Sequence, residues 1–208
     1  MHDIIQLQYE QKNITADEAA AMVKSGDKIF YGEFTMFPHA LDEALAKRIK
    51  DLQDLQIGGV CFTSPPQVVL QDMQREHLML MDLHFGLVSR KLHDLNLCNY
   101  IPNTYHQGPR IVKKYYDIDV GFFSVGAMDA RGYFNLGPSN SITPALMEKT
   151  KLKIVEVNNT VPTCLGGNQE SIHITQIDYI VEGNNTPLRQ LPPIVPTETE
   201  EAIAKILI

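Results

Sequence analysis

A group of small polar residues follows a predicted buried strand in the second half of the chain. Ser139, Asn140 and Ser141 come just after Gly137, at the end of a long loop. Their hydroxyl, amide and backbone N–H groups could donate hydrogen bonds to a carboxylate or a carbonyl oxygen. The same residues also suit a turn followed by a helix cap. The residues alone therefore indicate either an oxygen-binding loop or an ordinary connection, and they leave both interpretations open.

A second loop with possible chemistry runs from Gly32 to Pro38, between a short apolar strand and a predicted helix that begins at His39. Gly32 permits a close backbone approach, and the helix N-terminus offers unpaired N–H groups to an anion. Glu33 in this loop could act as a nucleophile or a base. Because no partner residue accompanies it, we expect the simpler role of a solvated loop charge.

The remaining reactive residue types lack the spacing of a known metal or nucleophile site. The spacing of His77, His84 and His93 does not suit one helix face, so we expect no metal. The three cysteines lack a CxxC spacing, which favours reduced thiols, and we expect Cys164 to be inert. No GxxxxGK[ST], HExxH, GxSxG or GxGxxG motif is present, which disfavours the chemistries that these motifs carry.

The elements that carry the two loops predict a parallel sheet. Apolar residues at 120–125 and 153–157 predict two buried strands, and the segment 144–149 between them predicts a helix. Thr143 is the expected cap of that helix. Since a strand, a helix and a second strand form a parallel crossover, the loop 126–141 should lie beyond the carboxyl end of the first strand, where ligands bind.

The first half of the chain extends the same architecture. A strand at 28–31 precedes the glutamate-containing loop, so both loops should share one edge of the sheet. Residues 55–62 predict another strand, whereas 77–84 suit a strand or a helix. Thr15 and Glu18 predict a capping box at the start of an early helix. We therefore predict an α/β fold with a mostly parallel sheet flanked by helices.

The composition of the chain changes after its last predicted strand. Residues 1–182 predict one amino-terminal α/β domain, in which the short apolar runs 172–174 and 179–181 could pair. Proline and asparagine then favour an extended linker, and 197–208 predicts a helix. Because that helix stops without a glycine cap, we expect 183–208 to be a linker and the start of a second, absent domain.

Composition and charge limit the classes of function. A net charge of -7 and a sequence pI near 5.4 argue against a broad nucleic-acid footprint or an acidic membrane surface. No window approaches the ~18 apolar residues that a membrane span needs, and the first residues do not resemble a signal sequence. We expect a cytoplasmic protein that binds neither nucleic acid nor membrane.

Several short motifs occur in a definite order along the whole chain. They are Thr15–Ala19, Lys24–Asp27, Asp129–Gly137, Ile154–Asn158, Ile172–Ile174 and Leu191–Pro193. In this order they resemble the amino-terminal half of the acetyl-CoA hydrolase/transferase family. Members of that family include 4-hydroxybutyrate and butyryl-CoA:acetate CoA-transferases. The resemblance implies a CoA-transferase-like domain.

The resemblance implies a two-half enzyme with its active site between related α/β halves. Coenzyme A arrives as an acyl-CoA substrate, a short-chain carboxylate such as acetate accepts it, and no metal takes part. A glutamate in the carboxyl-terminal half attacks the thioester, so this chain holds no catalytic residue and needs that half as a partner. A homo-oligomer is also implied. The alternatives are a thioester hydrolase and a non-catalytic module that binds a phosphorylated small molecule or a regulatory ligand.

The resemblance also implies which residues of this chain face the substrate. They are Gly32, Glu33, Phe34, Pro38, Gly137, Ser139 and Asn140. Gly32 and Gly137 would let the backbone approach the acyl or carboxylate group. Ser139 and Asn140 would hold the oxygens of that group. Glu33 is not assigned the role of the nucleophile.

Overall fold

The computed structural model of the protein describes residues 2–167, 169–190 and 193–207. Leu191 and Pro192 of the last family motif, and Ile208 of the predicted terminal helix, lie outside the described residues.

A seven-stranded parallel sheet organises the chain. Its strands are β1 Lys28–Tyr31, β2 Leu55–Gly59, β3 Leu78–Asp82, β4 Asn99–Tyr100, β5 Ile118–Val125, β7 Thr150–Val157 and β9 Tyr179–Glu182. They lie in the order β4-β3-β2-β1-β5-β7-β9, and every neighbouring pair is parallel. A separate antiparallel ribbon joins β6 Tyr133–Asn135 to β8 Ser171–His173. The predicted α/β fold with a parallel sheet is confirmed.

Helices cover both faces of this sheet. The α-helices of the described residues are α1 His2–Lys12, α2 Ala16–Ala21, α3 His39–Ala46, α4 Gln67–Leu70, α5 Leu87–Asp94, α6 Gly108–Tyr115, α7 Thr143–Lys149 and α8 Glu198–Leu207, of which α8 lies outside both cores. Residues of α2, α3, α4 and α5 share one core with Tyr31 of β1. Residues of α6 and α7 share the other core with Phe30 of the same strand. Adjacent strand residues therefore enter opposite cores, as expected for a sheet that is buried on both faces.

Two buried carboxylates accept hydrogen bonds from backbone N–H groups at the N-termini of helices. Asp42 of α3 accepts the Gln67 N–H at 2.6 Å, at the start of α4. Glu156 of β7 accepts the Leu41 N–H at 3.0 Å, in the first turn of α3. The first N–H groups of a helix have no acceptor within that helix, and each of these carboxylates supplies an acceptor for one of them. Burial raises the pKa of Asp42 to about 7 and the pKa of Glu156 to about 7.

Two local predictions are confirmed. The Thr15 hydroxyl accepts the Glu18 N–H at 3.2 Å, and the Glu18 carboxylate accepts the Thr15 N–H at 2.8 Å, which makes the capping box. The ambiguous segment 77–84 contains a strand, because β3 pairs with both β2 and β4.

Two predictions about elements near the two loops are wrong. Thr143 is the first residue of α7 rather than its cap, and its hydroxyl donates to Glu33 at 2.6 Å. The runs 172–174 and 179–181 do not pair with each other, since β8 pairs with β6 and β9 pairs with β7. Short apolar runs indicate burial but do not identify the partner strand. The actual partner of β8 is β6, which lies in a segment that was predicted as loop.

The last part of the chain lies apart from the two cores. The described residues between β9 and α8 form neither helix nor strand. α8 exposes Ile203, Ile206 and Leu207. In the described ranges, every helix is too short or too polar to cross a bilayer. The division of the chain at residue 182 stays a prediction.

Candidate functional site

A cavity of about 960 Å³ opens at the carboxyl edge of the sheet. Its walls come from the loops after β1, β2 and β3, from segments before α6 and α7, and from the chain after β9. The lining residues are Phe34, Thr35, Cys61, Phe62, Thr63, Gly86, Leu87, Val88, Tyr105, Pro138, Ser139, Asn140, Ser141, Arg189 and Gln190. Small-molecule sites typically have volumes of about 300–1,000 Å³ and lie at this edge of parallel sheets.

Hydrogen bonds join the loop after β1 to the loop after β2. The Phe34 N–H donates to the Val60 carbonyl at 2.9 Å, and the Thr63 hydroxyl donates to the Phe34 carbonyl at 3.0 Å. Phe34 is thus fixed through both of its backbone polar groups. One wall of the cavity is a continuous structure made by two loops.

The two loops singled out in the sequence meet at this cavity. The hydroxyl groups of Thr35 and Ser139 lie 2.9 Å apart, within hydrogen-bonding distance. The Tyr105 hydroxyl donates to the Ser141 hydroxyl on the same side. Of the seven candidate residues, Phe34, Ser139 and Asn140 line the cavity.

Glu33 lies in the interior beside this wall, and its solvent-exposed fraction is 0%. One carboxylate oxygen accepts the Ile142 N–H at 2.8 Å and the Thr143 hydroxyl at 2.6 Å. The other oxygen has no hydrogen-bond partner among the described residues. Burial raises the pKa of Glu33 to about 6, although these hydrogen bonds act in the opposite direction. The expectation of a solvated loop charge is wrong, because the side chain turns inward to the start of α7.

The other candidate residues shape the loops from behind the lining. A Cβ atom at Gly32 would overlap the Met36 carbonyl oxygen. Gly137 has a φ of +70°, and a Cβ there would lie 2.6 Å from the Met36 sulfur. Pro38 is buried and immediately precedes α3. Gly32 and Gly137 therefore allow close packing against Met36 within the described part of the chain.

Asn140 lines the cavity and uses part of its amide group within the chain. Its Nδ2 donates to the Gln169 carbonyl at 3.0 Å. Since a carbonyl oxygen only accepts, this contact fixes the orientation of the amide. Its buried Oδ1 has no partner among the residues that the structure describes. One of the two N–H groups of the amide is therefore used within the chain, and the Oδ1 acceptor is without a partner among the described residues.

Two lining residues adopt a backbone conformation that could not be foreseen from the sequence. Phe34 has a φ of +48° and Cys61 a φ of +55°, in the left-handed region that bulky residues rarely occupy. Asp82, which is fully buried, accepts the Cys61 N–H at 2.8 Å and the His84 N–H at 3.0 Å. Such conformations persist only where the surroundings hold them and are frequent at functional sites. Sequence reasoning missed Asp82, because it lies inside the segment 77–84 that suited either a strand or a helix.

The lining combines apolar walls with a few polar groups. The apolar residues in the lining include Phe34, Phe62, Leu87, Val88 and Pro138. Leu87 at the start of α5 is 78% exposed. A cavity of this composition can bury an aliphatic chain and hydrogen-bond to its polar end.

Few groups at the cavity could react covalently. The lining residues named above include no Asp, Glu or His. Burial and the charge of Asp82 both raise the pKa of the Cys61 thiol, which keeps it protonated. Arg189 supplies a positive charge at the rim, where it donates to the Thr63 carbonyl. Among the described residues, no group of three His, Cys, Asp or Glu side chains could hold a metal ion. The described lining therefore offers apolar surface and hydrogen-bonding groups, with Arg189 as its charged residue.

Comparison with known proteins matches almost the whole chain to one family. The model of the "Acetyl-CoA hydrolase/transferase N-terminal domain" matches residues 2–192. A "Butyryl-CoA:acetate CoA-transferase" of Anaerostipes caccae is 38% identical over 97% of this chain and 46% of that protein. A "4-hydroxybutyrate coenzyme A transferase" of Clostridium kluyveri is 30% identical over 95% of this chain and 45% of that protein. The chain spans about half the length of these curated relatives.

A solved structure agrees with this match. The crystal structure of RipA from Yersinia pestis superposes with a TM-score of 0.85 at 28% sequence identity. The match covers 98% of this chain and 49% of that one.

Proposed function

Because the chain belongs to the acetyl-CoA hydrolase/transferase family, we propose that it is the amino-terminal half of a CoA-transferase. The enzyme moves CoA between a short-chain acyl-CoA, of the butyryl or 4-hydroxybutyryl type, and a carboxylate such as acetate. The observation that carries this proposal is the cavity of about 960 Å³, which has apolar walls, hydroxyl groups and no ionised nucleophile in its lining. Such a cavity suits the acyl group of a substrate whose chemistry is supplied from elsewhere.

Different residues of the cavity bind different parts of the substrate. The aliphatic chain lies against Phe34 and Leu87, and the hydroxyl of Ser139 donates to its oxygens. Arg189 at the rim attracts the carboxylate acceptor. The Asn140 amide has two N–H donors, of which the Gln169 carbonyl takes one, and the second donates to the same oxygens, so Asn140→Ala should weaken substrate binding.

The carboxyl-terminal half supplies the nucleophile. A glutamate carboxylate there attacks the acyl thioester, which forms an acyl-glutamyl anhydride and releases CoA thiolate. The thiolate attacks the glutamyl carbonyl, releases the first carboxylate and leaves a glutamyl-CoA thioester. The acceptor carboxylate and the thiolate then repeat these steps in reverse, which yields the new acyl-CoA and the free glutamate. Each step is easier than direct exchange.

The assignment also sets the expected context of the enzyme. We place it in the cytoplasm as a homo-oligomer that contains both halves. The net charge of -7 and the absence of a CxxC spacing among its cysteines fit this placement.

The test is an exchange assay with the native protein that contains this chain. Butyryl-CoA and ¹³C-acetate are supplied together, and the thioesters are followed by mass spectrometry. We expect labelled acetyl-CoA to form together with an equal amount of butyrate. Free CoA without acetyl-CoA would identify a hydrolase instead. An unchanged butyryl-CoA pool would refute both enzyme assignments and favour a binding module.

A further inference from the structure

Glu33 connects two walls of the cavity that are formed by residues 34–35 and 139–141. Phe34 and Thr35 follow it directly and line one side. Its carboxylate reaches the Ile142 N–H and the Thr143 hydroxyl, which immediately follow Ser141 on the other side. The 2.9 Å contact between the Thr35 and Ser139 hydroxyl groups also joins these two walls.

This contact is costly for the protein. Glu33 is fully buried, and one of its oxygens lacks a partner among the described residues. A buried carboxylate with an unused oxygen is destabilising, and native structures rarely keep one without a reason. A neutral serine or asparagine would cap α7 at lower cost. Both have shorter side chains than glutamate, and from the loop after β1 the Glu33 carboxylate reaches the Ile142 N–H and the Thr143 hydroxyl together.

We propose that Glu33 is a positioning residue that sets the spacing of the 34–35 and 139–141 walls, and through it the fit of the acyl or carboxylate group. Its identity as a positioning residue stands on the geometry, and the nature of the ligand rests on the proposed function. Glu33 does not itself touch the substrate, because it lies outside the lining and one oxygen already serves two donors.

The kinetic test compares Glu33 variants in the native enzyme. Glu33→Gln keeps an acceptor oxygen for both donors, so KM for butyryl-CoA should stay within about threefold of the unchanged enzyme. Glu33→Ala removes both hydrogen bonds and should raise KM about tenfold or more, with a smaller change in kcat. Glu156→Ala is the matched control, because Glu156 is another buried carboxylate that holds a helix start, but it reaches α3. Its KM should stay within about twofold.

Three results would overturn the proposal. A glutamine variant as impaired as the alanine variant would mean that the charge itself takes part in chemistry. An unchanged KM in Glu33→Ala would mean that the walls do not depend on this contact. An equal rise in KM in Glu156→Ala would mean that any loss of a buried carboxylate has the same general effect.

Hydrogen exchange of the Ile142 amide separates this proposal from the proposed function, since it needs no substrate. Exchange should be about tenfold faster in Glu33→Ala and nearly unchanged in Glu33→Gln. Where the alanine variant does not fold, Thr143→Val removes one of the two donors and should give an intermediate rise in KM. If the protein without substitutions transfers no CoA but the Ile142 amide exchanges faster in Glu33→Ala, only the proposed function is refuted. If the exchange of the Ile142 amide is unaltered in Glu33→Ala, only the positioning role is refuted.

Discussion

Replacing Asp82 by asparagine should destabilise the protein and loosen the cavity wall that carries Cys61. Asp82 is fully buried at the end of β3. One of its oxygens accepts the Cys61 N–H at 2.8 Å and the His84 N–H at 3.0 Å. The other accepts the Phe62 N–H at 3.4 Å and the Ser89 hydroxyl. The carboxylate therefore organises the turn after β2 and the start of α5 together.

Asparagine can serve only one of these pairs of donors, because its NH₂ group donates where the second oxygen of Asp82 accepts. A hydrogen bond to a charged group contributes about 1.5–3 kcal/mol, and a buried donor without an acceptor costs about 1–3 kcal/mol. Burial raises the pKa of Asp82, because it disfavours the charged form. Removing the charge therefore offsets part of the free energy that is lost with the hydrogen bonds. The Phe62 contact is long and the Ser89 hydroxyl can rotate, so we expect a net loss of about 2–3 kcal/mol.

Urea unfolding at pH 7 measures this loss as a lower midpoint with an unchanged slope. Asp94→Asn, at an exposed position of α5, is the control and should stay within about 0.5 kcal/mol. A thiol reagent gives a local measurement, since burial and the Asp82 charge raise the pKa of the Cys61 thiol. Asp82→Asn should speed the reaction of Cys61 but not that of Cys164. Unfolding that matches the control, together with an unchanged Cys61 rate, would refute the reasoning.

Three further changes test the packing around the site. Gly137→Ala should cost more than about 1 kcal/mol in thermal unfolding because of its φ of +70°, whereas Gly166→Ala, whose Cβ would meet no described atom within 4 Å, should cost less than about 0.5 kcal/mol. Tyr31→Phe removes a hydroxyl donor 3.1 Å from Asp42 and should cost about 1 kcal/mol in urea unfolding. Raising the pH from 5 to 8 should lower the unfolding free energy by about 2 kcal/mol for each of Asp42 and Glu156, because their pKa of about 7 makes the folded state bind protons that the unfolded state has lost. Glu156→Gln should remove its share, and a urea midpoint that rises over this pH range would contradict the assignment.

The position of the cavity could be predicted because it follows from local patterns. The strands at 28–31 and 120–125 are short apolar runs with a helix after each, and a parallel crossover places the loops that follow them at one edge. The contact of Thr35 with Ser139 is the direct consequence of that rule. Loops far apart in sequence were brought together by topology that the hydrophobic pattern encodes.

The details of the site depend on long-range contacts that no local pattern encodes. Glu33 is buried because α7 needs its carboxylate, not because its sequence neighbours are apolar. Asn140 has its amide occupied by a carbonyl 29 residues further along the chain. The left-handed conformation of Cys61 is imposed by Asp82 from another strand. Arg189 lines the cavity although it belongs to a segment that was expected to be a linker.

The most direct test of the account asks whether an acyl-CoA covers this cavity. The native protein that contains this chain is alkylated with and without butyryl-CoA, and labelling of Cys61 and Cys164 is measured by peptide mass spectrometry. Cys61 lines the cavity, whereas Cys164 lies on a loop outside its lining. At ten times the Kd, we expect the alkylation of Cys61 to slow about tenfold while that of Cys164 stays unchanged. Equal labelling of Cys61 with and without saturating butyryl-CoA would contradict the placement of the substrate here.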